Sequence, residues 1–154
     1  MTATFRSRFH KPVQRFLPVL LIALASVAAP GQAQERGNEL RARLSPMPVT
    51  AITVRTITGE GEVHATLRGD TLTVTGSFEG MSSAATMAHI HRGPKAQPGP
   101  VVLTLDVDKS SAGSVSGSLT LSPELIEALQ AEGLYVQIHS ENNPSGELRG
   151  WLLH

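Results

Sequence analysis

The stretch Met87-Ala88-His89-Ile90-His91-Arg92-Gly93-Pro94, continued by Gly99-Pro100-Val101-Val102-Leu103, reads as a strand, a Gly/Pro-rich turn and a second strand. Side chains two apart on a strand leave the same face. His89 and His91 therefore point together, and Ala88 and Ile90 point the other way. A late stretch, Leu134-Tyr135-Val136-Gln137-Ile138-His139, repeats the design, with Val136 and Ile138 as its apolar face and Gln137 and His139 opposite. Both segments bury aliphatics on one side of a sheet and carry imidazoles on the reverse.

The same alternation extends through the chain. Glu39 to Leu44 alternates strictly, and Glu62 to Arg68 places Val63, Ala65 and Leu67 inward with His64, Thr66 and Arg68 outward. Gly69-Asp70 is a two-residue hairpin signal leading into Thr71 to Thr75, a strand closed by Phe78. Val49 to Thr58, rich in Val, Ile and Thr, reads as strand or irregular extended chain. Ser114 to Leu121 alternates again. Ser122-Pro123-Glu124 supplies an N-cap, a proline at the first helical position and an acid in the first turn, so one short helix follows and stops at Gly133. Asn142-Asn143-Pro144-Ser145-Gly146 is turn chemistry, and Glu147 to Leu153 is the last strand. About seven or eight short strands at regular spacing with one small helix make an all-β fold, an antiparallel Greek-key β-sandwich or flattened barrel.

The N-terminal part has a different character. Arg6, Arg8, Lys11 and Arg15 precede the first acid, Glu35, and Leu17 to Ala29 is an apolar run of 13 residues, short for a bilayer span. Gly31-Gln32-Ala33 offers small residues where a signal peptidase reads. The expectation is a signal peptide over residues 1–33, cut after Ala33, and a periplasmic or secreted domain over residues 34–154 with no membrane span after cleavage. Without the four leader cations, nine Lys and Arg face 13 Asp and Glu, a net charge of −4. No basic stripe remains to meet a nucleic acid. With no cysteine and few aromatics, the domain must be stabilised by an aliphatic core.

Ala88-His89-Ile90-His91-x-Gly93, then Gly99-Pro100-Val101-Val102, then Leu134-Tyr135-Val136-x-Ile138-His139-Ser140-x-x-Asn143-Pro144-x-Gly146-Glu147-Leu148-Arg149-Gly150, resembles the chordin-type (CHRD) domain. Leu40-x-Ala42-x-Leu44-Ser45 and the strand from Gly61 to Thr66 fit its first half, so the resemblance covers nearly all of the chain after the leader. Ser45-Pro46-Met47-Pro48 departs from the acid and proline pair common in the family, and a role for that acid does not carry over. The resemblance implies a bacterial exported single-domain member with an immunoglobulin-like sandwich, similar in fold to the copper/zinc superoxide dismutase barrel. It implies no reaction. His89, His91 and His139 match the dismutase pattern of His-x-His on one strand and a late His on a neighbour. The bridging His, the zinc ligands and the disulfide of those enzymes have no counterpart here.

The candidate site is therefore a three-histidine set, His89, His91 and His139, open at a fourth position and suited to copper or zinc. Gln137, Glu147 or a backbone carbonyl would orient the imidazoles through their second nitrogens, with Arg149 beside them. The competing reading has the histidines bonding turn carbonyls and stiffening the two turns. Glu147 and Arg149 are expected on one face of the last strand as an ion pair, with Trp151 beside them in the core or at an interface. His64 is expected as a solvated strand residue and His154 as a frayed end. Gly93 to Pro100 is a rigid turn, because its prolines remove the N–H donors that an anion cradle requires. No Ser-His-Asp set, carboxylate pair or phosphate loop supports a hydrolase or transferase. The expected function is non-catalytic copper binding. The alternatives are a metal-free module that binds an unidentified protein, and a vestigial dismutase-like redox enzyme.

Overall fold

The computed structural model describes residues 38–48 and 50–154; the expected leader and its cleavage point lie outside the described residues. Eight strands are described: β1 (Glu39–Pro46), β2 (Glu60–Arg68), β3 (Thr71–Glu79), β4 (Ala85–Arg92), β5 (Val101–Val107), β6 (Gly113–Thr120), β7 (Leu134–Ser140) and β8 (Leu148–Trp151). One helix, α1 (Pro123–Gln130), links β6 to β7. The strands close in the order β1-β2-β3-β6-β5-β4-β7-β8, every pairing antiparallel. The barrel is flattened into two four-stranded layers, because its two seams are thin. β5 meets β6 only at Asp106↔Ser116 and Val107↔Val115, and β1 meets β8 only at Ser45↔Arg149 and Pro46↔Leu148, with Arg41↔Leu153 as an added bridge. The chain changes layer between β3 and β4, between β5 and β6 and again through α1, which is the Greek-key path. No helix among the described residues is long and apolar enough to cross a membrane.

Strict alternation fills the space between the layers. Val63, Ala65 and Leu67 of β2 face Ala88 and Ile90 of β4 and Val136 and Ile138 of β7 in one aliphatic core. Each fully buried Leu or Ile contributes about 1.5–3 kcal/mol, so a core with one Phe reaches domain stability through number rather than ring size. Ser122 caps α1 by accepting the Leu125 N–H, and Leu129 and Ala128 turn inward against the sheet. The helix ends in a Schellman turn, with the Gly133 N–H on the Ala128 carbonyl and Glu132 on the Leu129 carbonyl. The left-handed residue is Glu132, at φ 54°, one position before the glycine that the sequence points to. Its carboxylate pairs with Lys95 at 2.7 Å and ties the helix end to the loop after β4.

Two local readings change. Residues 50–58 are a run of turns rather than extended chain. Thr50 and Thr53 hydroxyls accept the backbone N–H groups of Ile52, Thr53 and Thr50 at 2.9–3.2 Å, and Val54 and Ile57 bond back to the carbonyls of Thr50 and Thr53. Their β-branched composition suggested a strand, but their hydroxyls compete for the backbone. The second change concerns Glu147. It precedes β8, and no ion pair with Arg149 is found among the described residues. Its carboxylate is fully buried and accepts from Thr58 N (3.1 Å), Ser82 N (2.7 Å), Ser82 Oγ (3.1 Å), Asn143 Nδ2 (3.1 Å) and the Ser140 hydroxyl. Burial pushes the Glu147 carboxyl up, but donation from Ser140, Ser82 and Thr58 outweighs it and holds the group below the ordinary 4.5.

Replacement of Glu147 by Leu strands those donors in a dry site and is expected to lower stability by about 3 kcal/mol, read as the urea midpoint; Gln at the same position costs less. Because the folded carboxyl titrates below the unfolded one, its stabilisation is complete above pH 4.5 and drains away as pH falls through the folded value.

Candidate metal centre

The register of β4, β7 and β8 builds a grid on the outer face of their layer. His91 lies opposite Tyr135, which lies opposite Trp151; His89 lies opposite Gln137, which lies opposite Arg149; Met87 lies opposite His139. Directly opposed residues share a face, so all eight side chains stand on the side away from the aliphatic core. The sequence places the three histidines together, and the structure does so too: each offers a ligand nitrogen, and these atoms lie within 4.8 Å of one another. His89 Nδ1 and His139 Nε2 are 3.2 Å apart. An ion with bonds of about 2.0–2.1 Å spaces tetrahedral nitrogens roughly 3.3 Å apart. One pair already has that spacing, and the set as a whole needs to close by at most about 1.5 Å.

Much of this outer face is shielded from water, although Met87 at its edge stays exposed. His91 and His139 are each only 7 % exposed, and all seven residues of β7 are buried. Two loops fold across it. His91 Nδ1 donates to the Gly99 carbonyl at 2.9 Å, and His139 Nδ1 donates to the Pro144 carbonyl at 2.9 Å. A carbonyl can only accept, so both rings carry their proton on Nδ1 and keep a lone pair on Nε2. Bonding to turn carbonyls and ligating a metal are thus compatible: one nitrogen of each ring does the first and frees the other for the second. His91 Nε2 is buried and has no hydrogen-bond partner, the one such side-chain atom among the described residues.

Gln137 and Arg149 frame this set. Arg149 donates through Nε (3.0 Å) and a terminal nitrogen (2.8 Å) to Gln137 Oε1, so the amide nitrogen turns to the Ser145 carbonyl (3.0 Å) and to His139 Nε2 (3.4 Å). Gln137 therefore approaches the free ring nitrogen of His139 and leaves the orienting role to Pro144. The guanidinium lies 4.8 Å from the Tyr135 ring centre and 5.8 Å from that of Trp151. Tyr135 stacks on His91 at 4.9 Å, its hydroxyl accepting from Gly99 N and donating to Gly99 O, while Trp151 Nε1 donates to the Gly93 carbonyl. Glu147 makes its hydrogen bonds elsewhere, and reaches the histidines only through the Asn143-Pro144 turn that it anchors. His64 stands on β2 in the other layer, exposed and 3.4 Å from Glu62. The bonds to Gly99 and Pro144 are the turn carbonyls that the sequence leads one to expect as partners of the histidines, whereas nothing in the sequence singles out Tyr135.

The electrostatics favour neutral rings at His89 and His139. Desolvation, then the neighbouring His139 and His91, lowers His89 below 6.5. His139 is lowered chiefly by desolvation, with His91 and Arg149 adding and the Pro144 bond opposing. With its lone pair on Nε2, His139 accepts from His89 Nδ1 at 3.2 Å, and an ion bound between them would take the place of that proton. Carbonyl oxygens hold the other ring nitrogens of His91 and His139, as at established metal sites.

Gly99 has no room for a side chain, because a Cβ there would collide with the Arg92 carbonyl. Gly99→Ala should shift the carbonyl that orients His91 and weaken metal binding by roughly 10–100-fold, measured by titration. The depressed His89 and His139 values give a second expectation. The folded rings bind protons less readily than the unfolded ones, so their contribution is full above pH 6.5 and falls as pH drops through that value toward the folded ones. The metal-free domain should have a lower urea midpoint at pH 5.5 than at pH 7.5.

A sequence model of the CHRD domain matches residues 40–152, nearly the whole of the described barrel. A search of curated proteins finds no match. The match takes in every strand that carries a histidine of the cluster, and on its extent the chain belongs to the CHRD domain family.

Proposed function

We propose that this chain is an exported CHRD-domain protein that binds one transition-metal ion, copper by preference, through His89, His91 and His139 without catalysing a reaction. The observation that carries this reading is the buried, unpartnered His91 Nε2. A buried nitrogen lone pair with no partner costs about 1–3 kcal/mol, and here it sits in a cluster with two more imidazoles. A bound ion would offset that cost. Catalysis is not part of the reading, since among the described residues neither a bridging ligand nor a further titratable group joins the three rings. Export follows from the basic and apolar leader, and it would place the site in a periplasm or outside the cell. A metal-free interaction role draws on a different observation: Ile52, 88 % exposed, and the exposed Val54 stand on the β1–β2 connection, far along the chain from the histidines.

Purified protein should take up one copper ion per chain, and His91→Ala and His139→Ala should each reduce that uptake to background. At a hundredfold excess of free ion over Kd, binding should raise stability by about 2.7 kcal/mol in the wild type and by nothing in the variants. Equal, substoichiometric metal in all three proteins would favour the interaction module.

A further inference from the structure

The outer-face grid has a corner that the three-histidine set does not use. Met87 and His89 on β4, with His139 and Gln137 on β7, form a square of adjacent positions, Met87 directly opposite His139 and two residues from His89 on the same face. Opposed Cβ atoms on paired strands lie about 4.5–5.5 Å apart. Gln137 is committed, with its oxygen on Arg149 and its nitrogen on the Ser145 carbonyl. The remaining side-chain donor in the square is the Met87 thioether. Met87 is 45 % exposed, so no core packing holds it, and its three rotatable bonds let the sulfur swing over the imidazoles. The ladder between β4 and β7 also shifts register between Ala85 and Met87, a bulge of the kind that re-aims a side chain beside a site.

We infer that Met87 supplies the fourth ligand, and that the site is therefore selective for cuprous copper. This rests on the three-histidine reading and adds the metal's oxidation state. A thioether is a soft donor that binds Cu(I) well and Zn(II) poorly, whereas imidazole serves both. His91 and His139 form the buried floor, His89 and Met87 the exposed side. An ion would enter on that side, and the flexible thioether would close over it.

The test compares wild type with Met87→Leu, a substitution of nearly equal volume at a half-exposed position. Cu(I) affinity is measured anaerobically by competition with a chromogenic Cu(I) chelator, and Zn(II) affinity by competition with a zinc chelator. Circular dichroism checks that the variant is folded. Met87→Leu should weaken Cu(I) at least about tenfold and leave Zn(II) within about twofold. X-ray absorption should show sulfur at bonding distance to copper in the wild type alone. Unchanged Cu(I) affinity, or an equal loss for both ions, would overturn the assignment of Met87. If the wild type binds neither ion, the three-histidine site itself falls, and the fourth ligand with it.

Discussion

A carboxylate withdrawn from water must be met by donors on every side, and Glu147 is met by three separate segments. Thr58 comes from the turns after β1, Ser82 from the loop before β4, and Ser140 with Asn143 from the end of β7. One side chain thus joins parts of the chain that are 65 and 89 positions away. The connection reaches the histidines. Asn143 precedes Pro144, and the Pro144 carbonyl sets the proton on His139 and the direction of its lone pair. The histidine cluster is rigid because a loop holds it, and the loop is rigid because a buried anion holds the loop.

A similar dependence runs through the other turn. The Gly99 carbonyl receives both the His91 ring and the Tyr135 hydroxyl, and Tyr135 lies flat against His91. Gly93 is held by Trp151 Nε1 and, through its own N–H, by the Gly133 carbonyl after α1. Prolines in this loop remove backbone freedom before folding. Gly146, at φ 123°, has a matching role in the second turn: a Cβ there would lie 2.6 Å from Gln137 Nε2. The first turn is glycine where a backbone carbonyl passes, at Gly99, and the second where side chains pass, at Gly146.

Alternation of apolar and polar residues made most strands legible in the sequence, because β2, β3 and β4 each bury one face in the central core. The shared face of His89 and His91 followed from the same spacing, and so did the matching face of His139. Less legible was everything that depends on loops folding back. Nothing in Leu134 to Ser140 announces that both its faces are covered, since the cover comes from loops whose paths local pattern does not reveal. The expected partnership of Glu147 with Arg149 failed for the same reason. Adjacent opposite charges suggested a pair, whereas the fold offered the carboxylate neutral donors and gave the guanidinium two aromatic faces and an amide oxygen. In residues 50–58 the β-branched side chains were read for shape, and their hydroxyls decided the outcome.

The barrel's closure is uneven, and its dynamics should be uneven in turn. Two ladder pairs hold β5 to β6, and two pairs with the Arg41↔Leu153 bridge hold β1 to β8. Breathing of the molecule will start at these joints, where few backbone bonds must break together. β7 is at the opposite extreme, laddered to β4 and β8 and covered above and below. Its amide protons should be among the last to exchange with deuterium, so His139 sits on the least yielding rib of the domain while the sheet edges open and close around it.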